Sequence, residues 1–123
     1  MVRDDVKVVC NVPALGRCID LAYLRGQSLF SVEFKLHNWR RAIRQARDHC
    51  LAADYAYVCM PRRDVGERML EAFRAAGVGL LFYCEEGDWP FEIIEKAPRS
   101  RETWAVARTK LGDYLLTRDR SWL

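Results

Sequence analysis

The amino-acid sequence predicts an α/β fold in which helices flank a mixed β-sheet. A hairpin signal near the N-terminus and the alternation of strand and helix patterns after it predict this fold. A tight hairpin makes neighbouring strands antiparallel, whereas a helix between two strands returns the chain parallel. The sheet is therefore expected to contain both kinds of pairing, and the 123 residues are expected to form a single domain.

The first third of the chain is rich in β-branched and aromatic residues. Strands are expected at residues 6–12, 17–24 and 29–36. Gly26 and Gln27 separate the last two strands, and glycine at the first central position favours a type II′ turn. With this turn, Arg25 pairs with Ser28.

Helices and strands then alternate along the chain. Asn38 is expected to cap a helix over 38–53, and Asp64 with Glu67 forms a capping box for a second helix, which Gly77 ends. Trp104 is expected to point inward from a C-terminal helix. The remaining expected elements are strands at 54–60, 78–84 and 91–95, a turn at 86–88 and that closing helix at about 101–116.

Composition narrows the class of protein. Half of the residues are hydrophobic and 30% are charged, a balance typical of globular proteins. The apolar runs are too short to span a membrane, so no membrane association is expected. The five cysteines form no C-x-x-C pair, so a zinc site is not expected. Reduced thiols in a cytoplasmic protein are expected instead.

Charge is distributed unevenly along the chain. Residues 38–50 carry a net charge of +3 and residues 96–123 carry +4, whereas residues 51–95 carry −5. On the first helix, Arg40, Arg44 and Arg47 fall on one ridge, with Arg41 beside them. These arginines are the candidate contacts to the phosphate backbone of a nucleic acid, and an exposed helix face without that role is the alternative.

The hairpin register brings two carboxylates together. Extending the Arg25–Ser28 pairing places Asp20 opposite Glu33, on a face that also carries Lys35 and otherwise small side chains. The opposite face is uniformly apolar and is expected to form the core. Like charges opposite each other destabilise a sheet, so a divalent cation between them explains the pair better than chance. A solvent-facing polar stripe is the alternative.

These residues carry a resemblance to a known family. Asp20, followed by Glu33-Phe34-Lys35, an amphipathic helix and a strand, resembles the PD-(D/E)XK nuclease superfamily over residues 6–84. The resemblance implies a restriction-endonuclease-like fold with Asp20, Glu33 and the Phe34 carbonyl as ligands of Mg²⁺, for which Mn²⁺ could substitute. It also implies that Lys35 is the catalytic lysine.

The helix after Lys35 extends the resemblance. Gln45 matches the glutamine of the Q-x-x-x-Y motif of RecB-type members and is a candidate catalytic residue, while His49 replaces the tyrosine. Family members usually begin with a helix that carries a further acidic ligand. The expectation here is that a partner protein supplies that helix, or that the protein is a minimal or inactive version. A homodimer is also expected, since two sites cut two strands more easily than one.

Three functions follow as hypotheses. The first is an Mg²⁺-dependent deoxyribonuclease that uses Asp20, Glu33 and Lys35. The second is a catalytically inactive nucleic-acid-binding protein with the same fold. The third is a structural subunit whose acidic 51–95 segment binds a basic partner.

Overall fold

The computed structural model describes residues 6–84 and 90–118, and the expected turn at 86–88 lies outside them. The elements follow in the expected order, with three helices and a six-stranded sheet in the described ranges. No helix in these ranges is long and apolar enough to cross a membrane. The elements are β1 (Val6–Ala14), β2 (Arg17–Arg25), β3 (Ser28–Phe34), α1 (Trp39–His49), β4 (Tyr55–Pro61), α2 (Glu67–Ala76), β5 (Gly79–Tyr83), β6 (Phe91–Glu95) and α3 (Ala105–Arg118).

The sheet is mixed, as predicted, and its strands lie side by side in chain order. β1, β2 and β3 form an antiparallel meander, β3, β4 and β5 are parallel, and β6 returns antiparallel to β5. Helices α1 and α2 make the two parallel crossovers. Residues of α1 and α2 pack into one buried cluster, so both helices lie on the same face of the sheet. This is the arrangement expected of two right-handed crossovers that step in the same direction along the sheet.

The predicted hairpin turn is confirmed. Arg25 pairs with Ser28, and Gly26 has a φ of 61° while Gln27 does not have a positive φ, as a type II′ turn requires. The pairing ends at Leu21 and Val32. The pairs expected beyond that point, including Asp20 with Glu33, therefore lie outside the observed ladder.

The boundaries of all three helices differ from expectation. Asn38 accepts a hydrogen bond from the Arg41 N–H, as a cap should, but α1 ends at His49 rather than at residue 53. The N-cap of α2 is Gly66, which offers no side-chain oxygen, so the predicted capping box is wrong. Gly77 ends α2 with a φ of 73°, as predicted.

The faces of the sheet correct a second expectation. The face of Ala22, Ser31 and Ala56, which was expected to be the polar face, is the one that the helices cover. Ala22, Ser31 and Ala56 are fully buried. Small side chains let helices approach a sheet closely, and alternation alone does not distinguish such a face from a solvent-facing one.

The opposite face is largely apolar and aromatic. Tyr23, Phe30 and Tyr55 stack in a row across three strands, with centroid distances of 4.4 and 4.9 Å. The backbone N–H of Ala97 donates to the Tyr57 hydroxyl in the centre of this face. Val32 is buried on this face, and Leu21, Tyr23 and Phe30 pack against its buried cluster, so the apolar face forms a core as predicted. The opposite face, which the helices cover, forms a second core that was not predicted.

Asp54 anchors the last helix. The buried carboxylate accepts a hydrogen bond from the Leu29 N–H and two from the Arg108 guanidinium, all at 2.9 Å. Ala107, Leu111 and Leu115 pack inward from α3. Trp104 is exposed, contrary to expectation, because α3 begins only at Ala105.

Candidate active site

Asp20 and Glu33 are brought together by a backbone hydrogen bond and not by the strand pairing that the sequence predicts. The Asp20 carboxylate accepts a hydrogen bond from the backbone N–H of Phe34 at 2.9 Å. This contact occupies a donor of β3 just past the end of its ladder with β2. Asp20 is consequently held against the end of β3, beside Glu33.

Glu33 is the buried member of the pair. Its side chain faces the helices, since Glu33 pairs with Val58 in β4, and the residue is only 6% exposed. Burial first, and then the negative charge of Asp20, raise the pKa of Glu33 to about 7, while the charge of Lys35 partly opposes this rise. Asp20, Glu33 and Lys35 thus lie near enough to one another to influence one ionisation, and we call these three residues the carboxylate site.

Helix α1 adds polar groups next to β3. Glu33 Oε1, Gln45 Oε1 and His49 Nδ1 are buried and find no hydrogen-bond partner among the described residues. Burial lowers the pKa of His49, although the charges of Asp48 and Asp20 oppose the shift. Gln45 and His49 are one helical turn apart, so both side chains lie on the same side of α1.

Ser31 lies next to Glu33 on β3, and the sequence pattern marks it only as a small side chain. Its hydroxyl is buried and is likewise unpartnered within the described residues. Ser31 is two residues before Glu33, so the two side chains share one face of β3. That two-residue spacing is the signal that could have identified it.

The chemistry of this donor set fits a hard cation. Two adjacent carboxylates, one of them with a free buried oxygen, are ligands that Mg²⁺ and Mn²⁺ accept, together with water. No group of three His, Cys, Asp or Glu side chains positioned for a metal occurs in residues 6–84 and 90–118. A cation here would therefore need further oxygen ligands from backbone, water or substrate.

The basic ridge of α1 divides into two parts. Arg40, Arg41 and Arg44 are exposed, and Arg40 lies over the Trp39 ring at 4.3 Å. Arg47 instead donates to the Ala76 carbonyl at 2.9 Å and pairs with Glu102 at 3.1 Å. Arg47 thus joins α1 to the last residue of α2 and to the segment before α3, a structural role that sequence reasoning did not anticipate.

Comparisons of this chain with protein-family models, with curated proteins and with solved structures found no match. The site geometry and the sequence resemblance are therefore the basis for a functional proposal.

Proposed function

We propose that this chain is a Mg²⁺-dependent nuclease of the PD-(D/E)XK type that hydrolyses phosphodiester bonds in DNA. The observation that carries the proposal is the apposition of Asp20 and Glu33, with an unpartnered Glu33 oxygen buried beside a half-buried lysine. Such a cluster costs folding free energy unless a cation compensates it, so its presence favours a functional reason.

The strand order supports a restriction-endonuclease-like fold. The resemblance implies a strand, a hairpin, a helix and then a parallel strand, with the carboxylates on the hairpin and the glutamine on the helix. β1 through β4 with α1 follow this order. In the structure Glu33 also faces α1, the helix that carries the glutamine.

Each residue has a definite part in the proposed reaction. Asp20 and Glu33 would hold the cation with the Phe34 carbonyl, and the bound cation would acidify a water and offset phosphate charge. Lys35 places a positive charge beside Glu33, where it can hold the attacking water or the developing negative charge. Gln45 and His49 offer unpartnered polar atoms that can orient these groups.

DNA would approach over α1. The exposed guanidinium groups of Arg40, Arg41 and Arg44 are suited to phosphates, which are contacted without regard to base sequence. Arg47 contributes less directly, because its guanidinium is already engaged with Glu102.

Cleavage by conservative variants tests the proposal. We expect Asp20→Asn, Glu33→Gln and Lys35→Gln each to slow Mg²⁺-dependent cleavage by about 100-fold or more, as loss of a transition-state contact does. Asp20→Asn is preferable to alanine because its amide oxygen can still accept from the Phe34 N–H. Plasmid, branched and single-stranded DNA should all be assayed, with circular dichroism to verify folding.

Glu71→Gln is the matched control, since Glu71 is exposed on α2, outside the carboxylate site. This variant should cut at the wild-type rate. Wild-type activity in all three site variants would refute the assignment, and so would the same rate with Mg²⁺ and with excess chelator.

Two observations favour an inactive nucleic-acid-binding protein as the second candidate. The described residues hold no three-residue metal cluster, and the Asp20 carboxylate already has a structural bond to Phe34. Calorimetry with Mn²⁺ distinguishes the two candidates. The nuclease proposal expects binding that Glu33→Gln weakens, whereas a binder without metal chemistry gives no heat in either protein.

A further inference from the structure

An apolar cleft opens at the carboxyl ends of the parallel strands. Its volume is about 340 Å³, near the lower limit for small-ligand sites, so it suits one small planar group. We call it the strand-end cleft. It is lined by Phe34, Lys35, Leu36, Cys59, Met60, Pro61 and Tyr83.

Three large apolar side chains in this lining are exposed. Phe34 is 41% exposed, Tyr83 46% and Leu36 70%. Phe91 contacts the first two rings, with centroid distances of 6.4 Å to Phe34 and 6.3 Å to Tyr83. The aromatic walls are therefore supported from one side and still open on the other, which is typical of a surface that receives a flat apolar partner.

Lys35 connects this cleft to the carboxylate site. It lines the cleft, and its charge acts on Glu33, the residue two positions earlier. Lys35 is the only charged residue in the described lining, and its positive charge is complementary to a phosphate. An occupant that combines an anion with a flat apolar group matches this arrangement, and a nucleotide has both.

We propose that the strand-end cleft holds one unpaired nucleobase next to the phosphodiester bond, so that the substrate is DNA with a single-stranded segment. The inference rests on the proposed nuclease function and adds its substrate class. A paired base has both faces stacked and its edge occupied within the duplex, whereas an unpaired base is free to contact Phe34 and Tyr83. The adjoining phosphate would then lie toward Lys35.

Binding without cleavage tests the cleft separately from catalysis. In chelator, a short fluorescent oligothymidylate should bind wild-type protein more tightly than an abasic oligonucleotide of the same length. Tyr83→Ala should weaken oligothymidylate binding by about tenfold, the usual effect of removing one base–aromatic contact. Tyr83→Phe should retain the affinity, and Leu36→Ala should weaken it in the same direction without affecting the fold.

Ile93→Ala is the matched control, because Ile93 is 58% exposed on β6 and does not line the cleft. The inference is overturned if Tyr83→Ala and Leu36→Ala bind oligothymidylate like wild type, or weaken the abasic probe equally. If Tyr83→Ala cleaves single-stranded DNA at the wild-type rate, the inference that the cleft holds a base is wrong, and the nuclease proposal is unaffected. If binding depends on the base but no Mg²⁺-dependent cleavage occurs, the base-binding role of the cleft is supported and the nuclease proposal is refuted.

Discussion

Replacing Glu33 by glutamine should stabilise the metal-free protein at alkaline pH. The pKa of Glu33 is raised from 4.5 to about 7 in the folded state, first by burial and then by Asp20. Between these two values the folded protein binds more protons than the unfolded chain, so the free energy of unfolding falls as pH rises. The ionised carboxylate thus opposes folding wherever no cation is bound.

The magnitude follows from the two pKa values. One pKa unit corresponds to about 1.4 kcal/mol, so Glu33 should remove about 2–3 kcal/mol of stability between about pH 5 and pH 8. Glu33→Gln carries no ionisable group at this position. It should therefore be more stable than wild type by about 3 kcal/mol at pH 8 and by less than about 1 kcal/mol at pH 5.

Urea unfolding at several pH values measures this difference. Tryptophan fluorescence in chelator is a suitable signal, because Trp39 packs against the buried Phe73. Glu71→Gln, an exposed substitution on α2, should follow the wild-type pH profile. A wild-type stability that does not change between these pH values, or a Glu33→Gln protein less stable than wild type at pH 8, would refute the reasoning. Adding Mg²⁺ at pH 8 should stabilise wild type but not Glu33→Gln.

Two further substitutions test the fold. Asp54→Asn should cost about 2–3 kcal/mol by urea unfolding, since it leaves Arg108 without its buried carboxylate, while Asp48→Asn in the exposed pair with Arg17 should cost less than about 1 kcal/mol. Equal effects of the two would contradict the anchoring role of Asp54. Gly79→Ala should lower stability by about 1–3 kcal/mol, because the added Cβ would come within 2.7 Å of the Ala97 nitrogen and closer still to the Tyr57 ring. At Gly112 within α3 an added Cβ would meet, among the described residues, only Leu29 at 3.8 Å. Gly112→Ala should therefore raise the thermal midpoint, and a lowered midpoint would overturn this interpretation.

Local patterns determined the order of the elements. Alternating apolar residues mark strands, and the positive φ that Gly26 and Gly77 supply marks the hairpin turn and the end of α2. These signals act over a few residues, so they can be read without knowing the rest of the fold. The capping-box prediction is wrong, because Gly66, and not Asp64, is the observed N-cap of α2.

Only the tertiary structure decided which face of the sheet the helices cover. The small side chains of Ala22 and Ser31 do not by themselves identify a core face, but in the structure α1 and α3 cover them. The burial of Glu33 follows from this placement of the helices. The sequence placed Asp20 beside Glu33, but the hydrogen bond from the Phe34 N–H, beyond the end of the ladder, sets how they meet. The raised pKa of Glu33 and the strand-end cleft depend on neighbours distant in sequence, because burial and shape arise only when separate segments pack together.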